Sequence, residues 1–169
     1  MGDVHRGMFV RAGIPEYMRD HVVPAADIVT PNQFELEFLT GRPVTTLADV
    51  VMATEQLQRM GPATVLVTSV LTDETPRDSI QMLCAAAEGT WLVTTPLLPM
   101  TVQGGGDVTA AVFLAHTLTD GPRTALSRTA GTMYAVLAAT HEAGRRELAL
   151  VAAQEAIAHP NERFEVVGV

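Results

Sequence analysis

Cysteine is almost absent from this sequence, because Cys84 is the single thiol among 169 residues. One cysteine excludes an internal disulfide framework and is typical of a reducing compartment, so a cytoplasmic location is expected. Long hydrophobic runs are also absent, since no apolar stretch reaches the ~18 residues that would predict a membrane-spanning helix. The opening segment MGDVHRGMFVRAG lacks the apolar core of a secretory signal. The sequence therefore predicts no membrane partner.

Basic residues are scarce as well. Lysine and arginine together number 11 against 19 acidic residues, which gives a formal net charge of −8. Because nucleic-acid binding depends on basic patches that contact phosphates, this balance argues against nucleic acid as the main partner. It leaves room for a small phosphate ligand that is held by backbone amides and a metal ion. The histidines, His5 among them, do not show the spacing of metal ligands.

The composition is typical of one globular domain over residues 1–169. Hydrophobic residues make up 47% and charged residues 18%, with a mean hydropathy of +0.21. Short apolar segments that alternate with helical patterns predict an α/β layered fold with a mostly parallel central sheet flanked by helices. The predicted strands are residues 27–30, 63–69, 78–85 and 89–95, the last two as a hairpin, and the predicted helices are residues 33–41, 46–60, 107–118, 124–140 and 147–158.

The segment QGGGDVTAA places three glycines and an acid directly before an apolar helix. A helix N-terminus presents unpaired N–H groups and partial positive charge, and glycines let an anion approach those amides closely. Asp107 could then accept a proton from an attacking hydroxyl while Gly104, Gly105 and Gly106 stabilise a phosphoryl group. The alternative is a flexible loop in which Asp107 only caps the helix. The segment is not a P-loop, because no Lys-Ser/Thr pair follows the glycines.

A second polar segment, TPNQFE, lies between a predicted strand and a predicted helix. Asn32 followed three residues later by Glu35 is the spacing of a helix capping box. The same two residues could also face a ligand, because ligands of α/β sheets sit beyond the carboxyl ends of strands. Both roles are compatible, since a capped helix start is where a phosphate would bind.

Several motifs together resemble the ribokinase-like kinases, and pyridoxal kinases in particular. GGGD followed by a small-residue helix is similar to their G-x-G-D signature, and residues 22–44, VVPAADIVTPNQFELEFLTGRPV, are similar to the corresponding pyridoxal kinase stretch. MGPATVLVTS and the opening MGD also fit, in the order that the family shows. The resemblance implies ATP-dependent phosphorylation of the 5′-hydroxyl of pyridoxal, with Asp107 as the catalytic base and Gly104, Gly105 and Gly106 as the anion hole.

The resemblance also implies roles for the remaining polar residues. Asn32 and Glu35 would organise Mg²⁺ and its waters near ATP, and Asp3 would face the same metal region. Thr68 and Ser69 would contact the ATP phosphates, although hydroxyl groups at a strand end can equally satisfy loop backbone. Residues 97–102, LLPMTV, and the helix around Met133 would border the adenine. The family's usual assembly implies a homodimer.

The sequence departs from the family at its start. Met1 aligns inside the D-P-V-M-G-D motif of pyridoxal kinases, so the expected match is to the C-terminal part of such a kinase, without its N-terminal region. That region carries most of the vitamin-recognising residues. Two alternatives therefore stay open: an inactive ATP-binding remnant or subunit of a ribokinase-like kinase, and a hydroxymethylpyrimidine kinase.

Overall fold

The computed structural model describes residues 1–4 and 6–169. His5, one of the histidines whose spacing does not indicate a metal site, lies outside the described residues. The strands are β1 Gly2–Asp3, β2 Gly7–Met8, β3 Ile28–Val29, β4 Thr64–Val70, β5 Ser79–Ala86, β6 Gly89–Pro96 and β7 Val166–Gly168. The α-helices are α1 Ile14–Tyr17, α2 Gln33–Thr40, α3 Leu47–Arg59, α4 Gly105–Asp120, α5 Pro122–Glu142 and α6 Gln154–Ala158. After α1 the chain continues as a π-helical turn, Met18–Val22, and a 3₁₀ turn, Val23–Ala25.

The central sheet has five strands in the order β3-β4-β5-β6-β7, and the prediction that it is mostly parallel was wrong. Only β3 and β4 run parallel, because α2 and α3 fill the connection between them. The pairs β4–β5, β5–β6 and β6–β7 are antiparallel. Short connections cannot carry a crossover, so the loop after β4 and the hairpin after β5 both reverse the chain. The predicted α/β layered class is confirmed.

Alternating residues of the central strands face two separate cores. In β4, Val65 and Val67 pack towards α2 and α3, whereas Leu66 packs towards α4 and α5. In β5 the same alternation separates Leu83 from Cys84. Successive strand side chains point to opposite faces, so a sheet that is covered on both sides needs apolar residues at every position. This explains why residues 65–67, at the centre of β4, form a continuous apolar run.

The last predicted helix is shorter than its sequence pattern indicates. Only Gln154–Ala158 is helical in the predicted range 147–158. The preceding residues bond to neighbouring elements instead: Glu147 bridges to Gln103, and the Ala149 N–H donates to Thr140 Oγ1 over 3.0 Å. Tertiary hydrogen bonds thus replace the local helical ones. Across the described residues, no helix combines the length and apolarity needed to cross a membrane.

We predict that the Cys84 thiol of the folded chain reacts slowly with an aromatic disulfide reagent. The residue is fully buried on β5, and burial raises the pKa of its thiol to about 12. The reactive thiolate is therefore scarce near neutral pH. Thiol release is followed by absorbance in native buffer, with the urea-unfolded chain as the control that must react fully. Rapid reaction of the folded chain would contradict the burial of this strand face.

Candidate active site

A cleft of about 680 Å³ opens beyond the carboxyl ends of β3 and β4. One wall is the N-terminus of α2 with the β1–β2 hairpin, and the opposite wall is the glycine turn that leads into α4. The structure brings together every site residue that the sequence predicts. Asp3, Asn32, Glu35, Thr68, Ser69, Gly104, Gly105, Gly106 and Asp107 all line this cleft.

Asn32 and Glu35 form a complete capping box at the start of α2. The Glu35 N–H donates to Asn32 Oδ1 over 2.9 Å, and the Asn32 N–H donates to Glu35 Oε2 over 3.0 Å. The chain can enter the helix here because Asn32 is extended, with φ −78° and ψ 171°. The capping-box interpretation of the Asn32–Glu35 spacing is thus correct. The same two residues also line the cleft.

The capping box also fastens the N-terminal hairpin over the end of α2. Asn32 Nδ2 donates to the Gly2 carbonyl over 2.8 Å, while Glu35 Oε1 accepts from the backbone nitrogens of Met1 and Gly2. The hairpin then turns through Asp3, whose carboxylate accepts from both the backbone and the side chain of Arg6. The hairpin is therefore positioned by the same two side chains that cap the helix.

Thr68 and Ser69 reach the cleft through an irregularity in β4. The Thr68 N–H donates to the Pro31 carbonyl over 2.9 Å, and Thr68 forms a parallel bridge with Asn32. The β4–β5 register shifts between Val67 and Val70, and Ser69 has a φ of 54°. Such a left-handed conformation is unfavourable for a residue with a Cβ and often marks a functional position. The bulge re-aims the backbone of Ser69 at the point where the strand ends.

The three consecutive glycines before α4 differ in whether the fold requires them. Gly104 has a φ of 80°, which favours glycine, so the turn itself requires this residue. A Cβ on Gly105 would make only ordinary contact with Val102, 3.6 Å away, and a Cβ on Gly106 would meet no described atom within 4 Å. Packing therefore does not require glycine at position 105 or 106, and Gly106 and Asp107 lie exposed in the first turn of α4.

The far end of the cleft is apolar. Part of the predicted adenine border is present there, namely Leu97, Leu98, Met100 and Val102 before the glycine turn and Met133 on α5. Sequence analysis did not single out several polar cleft residues, among them Arg6, Gln81 and Tyr134. Gln81 is buried between Thr75 and Thr94, to which it hydrogen-bonds. A glutamine inside a predicted strand, residues 78–85, was the available signal for that residue.

The fold is that of solved pyridoxal kinases. The chain superposes on the pyridoxal kinase from Leishmania donovani, solved with ADP and pyridoxine, with a TM-score of 0.88 and 26% identity, covering 100% of this chain and 59% of that one. The sequence model of the phosphomethylpyrimidine kinase family matches residues 6–149. The chain therefore belongs to the phosphomethylpyrimidine kinase family.

Curated relatives in this family are longer than the chain. The pyridoxal kinase PdxY of Rubrobacter xylanophilus is 54% identical over 168 residues, which covers 98% of this chain and 58% of that protein. The pyridoxal kinase PdxY of Leifsonia xyli subsp. xyli is 49% identical, over 98% of this chain and 59% of that protein. The chain thus spans a little under three fifths of the length of the relatives that it matches.

We predict that Asn32→Ala and Thr46→Ala each lower the free energy of unfolding, by ~0.5–2 kcal/mol, because both remove an N-cap. Thr46 caps α3 with its own box to Asp49, far from the cleft lining, and so provides a matched control. Asn32→Ala should cost more, since the bond to the Gly2 carbonyl is lost too. Equilibrium urea unfolding measures both. An Asn32→Ala chain as stable as wild type would contradict the described junction.

Proposed function

We propose that this chain supplies the ATP-phosphate site and the catalytic base of a kinase that phosphorylates the 5′-hydroxyl of pyridoxal and related B6 vitamers. The observation that carries the proposal is the position of Asp107. It lies exposed in the first turn of α4, directly after the three glycines, in the same cleft as Asn32, Glu35 and Thr68. Pyridoxal is proposed as the phosphoryl acceptor because the curated relatives are named pyridoxal kinases.

The chemistry assigns one task to each wall of the cleft. Asp107 accepts the proton of the alcohol as its oxygen forms the new bond to the γ-phosphorus of ATP, while the bond to the ADP oxygen breaks. The amides of Gly104, Gly105 and Gly106 donate to the phosphoryl oxygens, on which negative charge is spread during transfer. On the opposite wall, Thr68 and Ser69 orient the phosphates. The apolar end that includes Leu97 and Met133 takes the adenine.

The donor set fits Mg²⁺ held mostly through water and phosphate. Magnesium prefers oxygen ligands, retains several waters and needs one or two carboxylates. Glu35 and Asp3 line the cleft near the α2 N-terminus, but their oxygens already accept hydrogen bonds from the hairpin. Within the described residues no group of three His, Cys, Asp or Glu side chains could enclose a metal ion. Glu35 and Asp3 would therefore orient metal-bound waters, and the ion would offset phosphate charge.

Two other functions have some support. A hydroxymethylpyrimidine kinase is favoured by the family whose model matches the chain. An inactive ATP-binding remnant or subunit stays a second alternative, because catalysis is proposed from the position of Asp107 and not from turnover. A homodimer rests on the resemblance alone, and a cytoplasmic location rests on the single free thiol, Cys84.

We predict that Asp107→Asn lowers turnover of pyridoxal with ATP by ~10²–10⁴-fold, because the acceptor of the hydroxyl proton is lost. Its ATP affinity should change little. Turnover is measured by a coupled assay of ADP release, and affinity by isothermal titration with Mg·ATP. Asp27→Asn is the matched control, since Asp27 is an exposed acid at the other end of β3.

The same assays separate the alternatives. ATP binding by the wild-type chain without turnover of any acceptor favours the remnant. Faster turnover of hydroxymethylpyrimidine than of pyridoxal favours the other kinase. If the wild-type chain does not bind ATP, the pyridoxal kinase, the hydroxymethylpyrimidine kinase and the ATP-binding remnant are all ruled out.

We predict opposite effects for two neighbouring glycine substitutions. Gly104→Ala should lower stability by ~1–2 kcal/mol because its φ is left-handed. Gly106→Ala should fold at least as stably as wild type, because its Cβ would point into open space. Its methyl group would occupy the proposed anion hole, so Mg·ATP affinity should fall. Urea unfolding and titration calorimetry measure the two effects, and an unchanged affinity in Gly106→Ala would remove the phosphate role of this amide.

A further inference from the structure

Positive charge is rare in the cleft. Its described lining residues include three carboxylates, Asp3, Glu35 and Asp107, and one basic side chain, Arg6. The sequence contains no lysine, so every basic side chain of the protein is an arginine. A nucleotide triphosphate brings several negative charges into a cleft whose own side chains are mainly acidic. The α-ammonium of Met1 also lines the cleft but is paired with Glu35, so the location of the one basic side chain in the described lining is informative.

Arg6 is held in place from two sides. Its Nε donates to Asp3 Oδ2 over 2.8 Å, and its backbone N–H donates to Asp3 Oδ1 over 2.8 Å. The guanidinium carbon lies 4.8 Å from the centre of the Phe9 ring, which also lines the cleft. A carboxylate and an aromatic face together fix the plane of the guanidinium, which lowers the entropy lost when it binds a ligand.

The terminal nitrogens of Arg6 remain available. Among the described residues, none accepts a hydrogen bond from Nη1 or Nη2, and the side chain is 55% exposed. A guanidinium presents five N–H donors in a planar fork, and within the described part of the chain only the Nε–H has an acceptor. That fork matches the spacing of two phosphate oxygens.

Arg6 lies at the phosphate end of the cleft. It belongs to the turn of the β1–β2 hairpin, and the hairpin is bound to the α2 N-terminus through Gly2, Asn32 and Glu35. The apolar end, where the adenine is proposed to bind, is built instead from the segment before the glycine turn and from α5.

We propose that Arg6 binds the terminal phosphates of the nucleotide and that Asp3 positions its guanidinium for this contact. The inference rests on the proposed function and adds a residue to its site. Arg6 supplies the side-chain positive charge that the glycine amides lack. It discriminates ATP from nucleotides with fewer phosphates. Asp3 acts through Arg6 in this arrangement, in addition to facing the metal region.

Arg19 provides a closely matched comparison. Its Nε donates to Asp20 Oδ1 over 2.7 Å, and its guanidinium lies 5.8 Å from the centre of the Phe38 ring. It therefore has the same two kinds of neighbour as Arg6 but does not line the cleft. A purely structural ion pair in the hairpin would make the two arginines equivalent in nucleotide binding.

The test is isothermal titration of Arg6→Gln, Arg6→Lys and Arg19→Gln with ATP, ADP and AMP in magnesium buffer. Loss of charge-assisted hydrogen bonds should weaken ATP binding to Arg6→Gln by about 10- to 100-fold, with a smaller loss for ADP and none for AMP. Arg6→Lys keeps the charge without the fork, so its ATP affinity should lie between those of Arg6→Gln and the wild type. Arg19→Gln should match the wild type with all three nucleotides.

Three outcomes overturn the inference. The first is an Arg6→Gln chain that binds ATP as the wild type does. The second is an equal loss for ATP and AMP, which would indicate a general lesion; thermal unfolding of each variant, and the Arg6→Lys series, identify that case. The third is a wild-type chain that binds no nucleotide, and only this result removes the proposed function as well. A loss that grows with the number of phosphates and spares Arg19→Gln supports the inference.

Discussion

The capping box between Asn32 and Glu35 is the junction on which the arrangement of the cleft depends. Its two reciprocal hydrogen bonds start α2, while the remaining donor of Asn32 and the second oxygen of Glu35 hold the β1–β2 hairpin. Asn32 also pairs with Thr68 at the end of β4. A helix, a strand end and a hairpin thus meet at two residues, the strand end through the backbone of Asn32. A local helix-capping motif becomes a tertiary contact because each of its residues has bonding capacity beyond the cap.

The two walls of the cleft offer an anion different kinds of binding group. The wall at α4 offers backbone dipoles, which carry partial positive charge without an ionisable group. The wall at the hairpin offers carboxylates and Arg6. Backbone amides fixed by a helix cannot rearrange, so they suit a charge distribution that forms only during transfer. Side chains on a hairpin suit ground-state binding, since they can follow the ligand. This division would let a chain with a net charge of −8 bind the proposed phosphate ligand.

The sequence predicted most of the local structure and less of the topology. The capping box of α2, the β5–β6 hairpin and the two long helices after the glycine turn, α4 and α5, follow from short-range patterns and are present. The parallel sheet was wrong because strand–helix alternation holds only between β3 and β4. The N-terminal hairpin was missed because strands of two residues leave no periodicity, and Arg6 was missed with it. The site roles came from family motifs; the local patterns alone left a capping interpretation open for Asn32, Glu35 and Asp107.

Packing or backbone conformation requires some glycines of this chain, whereas others are not needed by the fold. At Gly131 an added Cβ would lie 2.3 Å from the Asn161 carbonyl oxygen, so the close approach of the C-terminal segment to α5 requires glycine there. At Gly104 the left-handed φ requires it. Gly106 meets neither demand, because its φ is ordinary and its surroundings are open. A glycine in the first turn of a helix costs stability relative to alanine. A residue that the fold does not need, that weakens its own helix, and that lies directly before an exposed carboxylate supports the proposal that a phosphoryl group comes closer to its amide than a methyl would allow.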